Sequence, residues 1–347
     1  MGREAVDIVI IGGGIAGLTL AKFLAEEGVD FILFEDHTDY FQKPCGEAIY
    51  NELAGYTFYE LYESKVGIER VIPDTMISTK YGEVTVEMPI VMSDKYLIEK
   101  ELARQVTQKG GRIVMDSKVT SIKAVGDDVV ILPQNIRGRI VVGADGVNSV
   151  VRQFMGLPRP SIGIASCGLC SHVEKSPDHC HAEVKKGVIP WGFSWFFPKS
   201  NGWNIGIGTT KPRYLKRGIK GFRERFPDVG EWRTGILPIS KPLRSYGKNS
   251  ILVGDAAAQV LAFTGAGILS SMVCARIASE ILAEESKRDF KSHDLSRYEK
   301  KWRKKLYKTF MRSHTNYVTL FRLEFVSEYS FYVFLRMACK ILSSIYR

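Results

Sequence analysis

Nothing in these 347 residues is both long and apolar enough to serve as a membrane span. The longest apolar stretch, Ile251 to Val273, holds Asp255 and several glycines, and it reads as buried strand, loop and helix. No secretory leader is expected, because Val6 to Ile11 is too short for a signal core and runs straight into glycines. Nor is a myristoylation site: Gly2 is present, but Val6 stands where that motif wants Ser or Thr. With no leader expected, the six cysteines read as thiols rather than as a disulfide framework. Repeats and low-complexity tracts are absent, and 45% hydrophobic with 25% charged residues argues against extensive disorder. The length suits two domains, or one large doubly wound domain with an inserted lobe.

Acidic excess is also lacking. The net charge is +10, and residues 287–347 carry fifteen Lys/Arg against five Asp/Glu, so the tail accounts for the whole imbalance. Such a tail suits an anionic surface, either nucleic acid or phospholipid headgroups, unless it is only a solvated helical face. Within it Arg336, Lys340 and Arg347 fall at helical spacing, while Phe334, Leu335, Ala338, Ile341, Leu342 and Ile345 cover the other side. This is the pattern of a basic amphipathic helix lying on a membrane, and equally of a helix docked on its own core.

What is present begins at the amino end. An apolar run, Ile8 to Ile11, leads into Gly12-Gly13-Gly14-Ile15-Ala16-Gly17, then a helix, then Phe31 to Phe34 ending at Glu35. The order predicts a βαβ unit in which glycines let the backbone turn tightly beside a pyrophosphate at a helix N-terminus. Glu35 lies where an acid can accept hydrogen bonds from ribose hydroxyls. No second fingerprint of this kind exists for NAD(P)H. Shortly afterwards, "KPCGEAI" (Lys43 to Ile49) sets Cys45 between a residue that fixes φ and one that frees it. By itself the stretch is an ordinary turn.

Further on, Ser93 is expected to cap a helix from Asp94 to Lys109, stopped by Gly110-Gly111. Strands are expected at Ile113 to Met115, Val119 to Ile122, Val129 to Leu132 and Ile140 to Val142, the last leading into Gly143-Ala144-Asp145-Gly146. Residues 163–208 read as strand-rich. Ile251-Leu252-Val253 leads into Gly254-Asp255, and a helix runs from about Gly267 to Glu285.

Three elements in this order, the early glycine loop, "GADGVNSVVR" (Gly143 to Arg152) and "ILVGDAAAQVLAFTGAGI" (Ile251 to Ile268), resemble the FAD-binding oxidoreductases of the p-hydroxybenzoate hydroxylase type. Within that group, Phe193-x-Trp195-x-Phe197-Pro198 followed by Gly206-x-Gly208 looks like the signature of geranylgeranyl reductases, of the kind that act on digeranylgeranylglycerophospholipids. Those reductases also carry a P-x-x-C-G or P-C-G-E stretch beside the flavin, which Lys43 to Ala48 matches. The resemblance implies an α/β protein: a Rossmann-like FAD-binding domain from 1–60, 93–160 and 245–286, an inserted antiparallel substrate sheet from 61–92 and 161–244, and a basic helical segment from 287–347. It implies FAD bound by Gly12, Gly14, Ala16, Gly17, Glu35, Cys45, Gly46, Ala48, Val119, Asp145, Gly254, Asp255, Gly265, Gly267 and Ile268. Cys45 becomes the catalytic residue, held against the isoalloxazine. Phe193, Trp195 and Phe197 share one face of a strand and, with Pro198, Gly206 and Gly208, would line an apolar channel for an isoprenoid chain. Each buried CH₂ there contributes about 0.8 kcal/mol.

The expected reaction is saturation of prenyl C=C bonds in membrane lipids. The expected partners are an isoprenoid lipid, NAD(P)H or a reduced carrier protein bound transiently, and a membrane surface rather than nucleic acid; the expected place is cytoplasmic, peripheral on the membrane. Prenyl-quinone reductase, flavin monooxygenase or halogenase, and a flavin binder without turnover are the other readings. Four positions depart from the family pattern: Ala48 where many relatives have Gly, Ala262 where Pro is usual, Ala266 where many have Glu, and Ser93 where Arg is frequent, with Lys95 close by. The chain also looks shorter than typical members, which implies a reduced C-terminal lobe. "CGLCSHVEKSPDHCH" offers Cys167, Cys170, His172, His179, Cys180 and His181 as ligands. The resemblance places this stretch on neighbouring strands, where Cys180 would point away from His179 and His181, so a metal is not expected; nor is a Cys167–Cys170 disulfide.

Overall fold

The computed structural model describes residues 5–171 and 178–345, with the side chains of 323–325 and 338–345 set aside. In chain order the elements are β1 (Ala5–Ile11), α1 (Ile15–Glu26), β2 (Phe31–Phe34), β3 (Ala48–Tyr50), β4 (Glu52–Leu53), β5 (Tyr56–Thr57), α2 (Phe58–Tyr62), β6 (Ile68–Thr79), β7 (Gly82–Ser93) and α3 (Lys95–Gln108). There follow β8 (Arg112–Val114), β9 (Ser121–Val125), β10 (Asp128–Leu132), β11 (Ile136–Gly143), α4 (Val150–Phe154), β12 (Ile162–Cys170), β13 (Cys180–Glu183), β14 (Gly192–Lys199) and β15 (Gly202–Thr209). The chain continues with α5 (Leu215–Arg225), β16 (Arg233–Pro238), β17 (Ser250–Leu252), α6 (Ile268–Ser286), α7 (Ser296–Val326) and α8 (Glu328–Ile345).

The first sheet has seven strands, ordered β8-β2-β1-β11-β10-β9, with β17 also on β11. β11 forks the sheet: its first half pairs antiparallel with β10 and its last three residues pair parallel with β17. The parallel strands are apolar on both faces, all four residues of β2 being buried, as strands covered on both sides must be. Register places Ile11 level with Phe34 and Gly143, Phe34 level with Val114, and Gly143 level with Leu252. Five carboxyl ends therefore finish together, and the loops leaving them converge on one crevice.

The second sheet has eight strands in the order β16-β12-β15-β14-β13-β6-β7-β3, antiparallel except between β13 and β6. Residues 48–50 belong to it, although they follow so closely on the cofactor strands. Helices α1 and α6 pack together, most residues of both being buried.

Two expectations shift. α3 is capped by Asp94, whose carboxylate accepts from Leu97 N at 3.0 Å, while Ser93 ends β7 and donates its hydroxyl to Glu47 O at 3.0 Å. A two-residue offset also moves the strand expected at Val119 to Ile122 to Ser121–Val125, leaving Val119 in the loop before it. The tail is helical as expected, but Leu335 is buried in the core while Phe334 and Arg336 are exposed. Of the remaining residues in that amphipathic pattern, Ala338, Lys340, Ile341, Leu342, Ile345 and Arg347 lie outside the described side chains.

Candidate active site

Between the strand ends of the first sheet and the inner face of the second lies a cavity of about 770 Å³. Its cofactor end is built by backbone proximity. Gly12 has φ +103°, and a Cβ there would sit 2.5 Å from Ala144 O; a Cβ on Gly17 would sit 1.9 Å from Gly12 O. Those two glycines let the loop fold against α1 and the β11 turn. At Gly14 an added Cβ would meet nothing closer than Glu99 Oε1 at 3.9 Å, so this position faces open space. No side chain caps α1, which leaves its N-terminal N–H groups to an anion.

Glu35 follows β2 and is 9% exposed. Its carboxylate accepts from Gly13 N at 2.6 Å and from His37 N at 3.1 Å, with His37 Nδ1 2.5 Å away. Asp145 accepts from Val150 N at 2.7 Å through Oδ2, and its buried Oδ1 has no partner. Burial raises its pKa against the pull of the Ser149 and Val150 hydrogen bonds. Gly254 (φ +68°) presses close to Ala16 Cβ, and Asp255 forms an ion pair with Lys43. Gly267 opens α6 without a side-chain cap. Val119, Gly265 and Ile268 also reach the cavity wall; Gly17 and Gly254 do not, their part being to let segments meet.

The Cys45 loop lines the same cavity from Phe41 to Glu47. It runs between two non-glycine residues in the left-handed region, Phe41 at φ +58° and Glu47 at φ +60°. Such positions persist only where surrounding contacts hold them. Phe41 N donates to Glu99 Oε2 at 2.7 Å, Arg233 donates to Phe41 O at 2.9 Å and Gln42 O at 3.0 Å, and Pro44 packs on Gly235. At the other end Glu47, 4% exposed, accepts from Lys95 N at 2.8 Å and Asn204 Nδ2 at 3.2 Å. Lys199 joins Glu47 (3.2 Å) to Glu69 (2.7 Å) and also donates to Ser93 O. Asn204 Nδ2 donates to Cys45 O at 2.8 Å, and Cys167 Sγ lies 3.6 Å from the same oxygen. The Cys45 sulfur accepts from Glu47 N at 3.3 Å. Burial pushes the thiol above its ordinary pKa, against the pull of Lys95, so it carries its proton at neutral pH.

Beyond the loop the cavity is apolar. Phe193, Trp195 and Phe197 of β14 line it, Trp195 stacking on Phe197 with centroids 6.2 Å apart. Gly206 is the cross-strand partner of Trp195; a Cβ there would sit 1.9 Å from Cζ2 of the indole, whose Nε1 donates to Asn204 Oδ1 at 3.0 Å. Gly206 and Pro198 are not on the wall, whereas Gly208 is. Ile77 of β6, Val86 and Met88 of β7, Ala182 of β13 and Val184 just after it complete the chamber, and Phe321 closes it from α7.

The proposed metal ligands go separate ways. His179 meets Asp74 at 2.6 Å, His181 meets Ser78 at 2.7 Å, Cys180 meets Met92, and Cys167 and Cys170 lie on opposite faces of β12. His172 lies outside the described residues. Among those residues the one group with ligand spacing is Glu35, Asp36 and His37, at the rim where a ribose would sit.

The FAD binding domain family matches residues 5–186. The chain belongs to that family. A cradle of close backbone approaches, an uncapped helix, an acid after β2 and an unpartnered buried Asp145 oxygen fit the cofactor, and the protein is an FAD-dependent oxidoreductase. Among its relatives is digeranylgeranylglycerophospholipid reductase 2 of Methanopyrus kandleri, 29% identical over 88% of this chain and 84% of that one. A geranylgeranyl bacteriochlorophyll reductase-like protein of Thermoplasma acidophilum superposes with TM-score 0.80 at 20% identity, covering 99% and 92% of the two chains. PqsL of Pseudomonas aeruginosa, a probable FAD-dependent monooxygenase, shares the fold with TM-score 0.73 at 16% identity over 94% and 98%.

Sequence reasoning missed Glu47, Glu69, Lys199 and Asn204. Glu47 alone was within reach, as the residue after Cys45-Gly46; the others come from strands more than a hundred residues away or across the sheet.

Proposed function

We propose that the protein saturates C=C bonds in isoprenoid chains of lipids; relatives of this chain are named digeranylgeranylglycerophospholipid reductases. One observation carries the reading: a single cavity of about 770 Å³ is lined by the dinucleotide cradle, by the Cys45 loop and by apolar side chains of the second sheet. An isolated alkene has no carbonyl to polarise, so positioning must supply much of the rate. Reduced FAD supplies the hydride equivalent. Trp195, Phe193 and Phe197 would hold the alkene, desolvating it and excluding water. Cys45, kept protonated by burial, would hold or pass on the proton that the second carbon needs. Asn204 and Cys167 fix the Cys45 carbonyl, and Glu47 N fixes its sulfur, so the thiol's place is set by the network rather than by the flavin. With one dinucleotide cradle among the described residues, the reductant would be NAD(P)H or a reduced carrier protein that binds transiently.

The test is anaerobic incubation of dithionite-reduced protein with geranylgeranyl lipids, followed by mass spectrometry. Gain of two hydrogens per double bond is expected. In a parallel aerobic incubation with reductant and halide, oxygenated or halogenated product would favour the monooxygenase or halogenase reading; a reduced ring on an added prenyl quinone would favour the quinone reductase, and unchanged lipid a binder without turnover. Cys45→Ser should keep the yellow cofactor and lose most alkene reduction; undiminished turnover would remove the thiol from the chemistry.

A further inference from the structure

α8 has two apolar faces, and only one is covered. Phe331 and Leu335 turn inward, 1% and 0% exposed, into the core shared with Val84 and Val86 of β7. Tyr329, Val333 and Met337 stand outward at 57%, 38% and 72% exposure, spaced four residues apart so that they form one stripe. Phe334 (40%) widens it, and Val326 (83%) extends it at the end of α7. The turn between β6 and β7 adds Tyr81, 46% exposed, whose ring meets that of Tyr329 edge-on at 5.4 Å. A contiguous apolar patch of this kind marks an interaction surface. Its rim is basic: Lys80, Arg322 and Arg336 are exposed, Lys80 lying 5.8 Å from the Tyr81 ring and Arg336 6.0 Å from that of Tyr332. Glu328, the acid of the first turn, is engaged by Lys186 N at 2.9 Å.

We propose that this patch seats the protein on an anionic phospholipid surface, with α8 lying in the interfacial plane. A helix with tyrosine and aliphatic side chains on one face and arginine and lysine at its edge binds there through apolar burial plus attraction to headgroups. Among the described residues no helix is long and apolar enough to cross a membrane, so the contact is lateral. A second copy fits less well, because a twofold contact would bring like-charged rims together. The place also has a use. Val86, beneath α8, and Phe321, on α7, line the chamber, so docking would hold that wall against the layer from which a lipid chain is drawn. That use rests on the lipid-substrate reading; the binding itself does not.

Vesicle flotation of the FAD-loaded protein tests it. Flotation is expected with phosphatidylcholine vesicles containing phosphatidylglycerol, much less with phosphatidylcholine alone, and a decline with added salt. Val333→Glu with Met337→Glu should weaken binding at least about tenfold, and Arg336→Glu should weaken it only on anionic vesicles. Both variants should keep their flavin and their turnover of detergent-dispersed substrate. Flotation of the wild type without any such turnover would sink the substrate reading and leave the docking standing. The proposal is overturned if the wild type fails to float, if the double variant floats as well as the wild type, or if the patch instead drives a concentration-dependent dimer that Met337→Glu abolishes.

Discussion

The glycine loop Gly12–Gly17 and the Cys45 loop Phe41–Glu47 line the same cavity, but their backbones are held in different ways. In the first, chain meets chain: Gly12 lies against Ala144 O and Gly17 against Gly12 O, distances that no side chain would permit. In the second, the left-handed positions are an aromatic and an acid, and ion pairs and hydrogen bonds from Glu99, Arg233, Lys95, Lys199 and Asn204 hold them there. Each left-handed non-glycine residue costs about 1–3 kcal/mol, which the buried network must offset. The glycine loop takes one charged contact, Glu35 on Gly13 N, and otherwise rests on chain meeting chain. A loop made by charges can be loosened by removing a single partner far away in sequence.

The sharpest way to break the contrast is Gly17→Val. The added Cβ would collide with a backbone oxygen that cannot yield, so the variant should purify without flavin and unfold several degrees earlier, by absorbance and thermal melting. A yellow, normally stable variant would mean that the loop tolerates bulk and that the close approach is not what shapes the cradle. Next in size is Lys199→Met. It leaves the buried Glu47 and the half-buried Glu69 each short of a partner, and the loss at Glu47 costs about 3–5 kcal/mol, measurable by urea unfolding. A loss below about 1 kcal/mol would show that Asn204 and Lys95 hold the Cys45 loop without it. Gly206→Ala is smaller, about 1–3 kcal/mol, because the Trp195 indole can tilt where a backbone carbonyl cannot. The tilt should change tryptophan fluorescence, and an unchanged spectrum would place the contact elsewhere.

The same contrast explains what could be read in advance. The β1–α1–β2 unit announces itself because its glycines stand where only glycine works and its apolar runs have the length of buried strands. Asp145 and Asp255 follow from the strands before them, since Gly143 and Leu252 end level with Ile11. Phe41 and Glu47 gave no such sign, because neither residue type prefers the left-handed region. The Glu47–Lys199–Asn204 cluster depends on β14 and β15 passing under residues 45–47, which is sheet register rather than local pattern. Ser93 shows the limit at short range: Ser and Asp are adjacent and both can cap a helix, and the strand pairing of Ser93 with Ile68 leaves the cap to Asp94.

The last comparison sets a thiol under the Cys45 loop against one remote from it. Burial pushes both Cys167 and Cys180 up to about 12 from an ordinary value of 9.0, and for Cys167 the nearby Cys45 and Glu47 add to the effect. In the unfolded chain each thiol ionises near its ordinary value. Between there and about 12 the folded protein therefore holds protons that the unfolded chain has released. Stability from these thiols is present below about pH 9 and is lost as pH rises toward 12, by at most about 1.4 kcal/mol per unit for each group. Replacing either cysteine with alanine should flatten the decline in unfolding free energy across that range. Cys167→Ala should in addition free the Cys45 carbonyl from one contact and speed alkylation of Cys45, an effect that Cys180→Ala, next to Met92, should lack. Equal alkylation rates in the two variants would show that Asn204 alone holds the loop, and that Cys167 is only a buried neighbour.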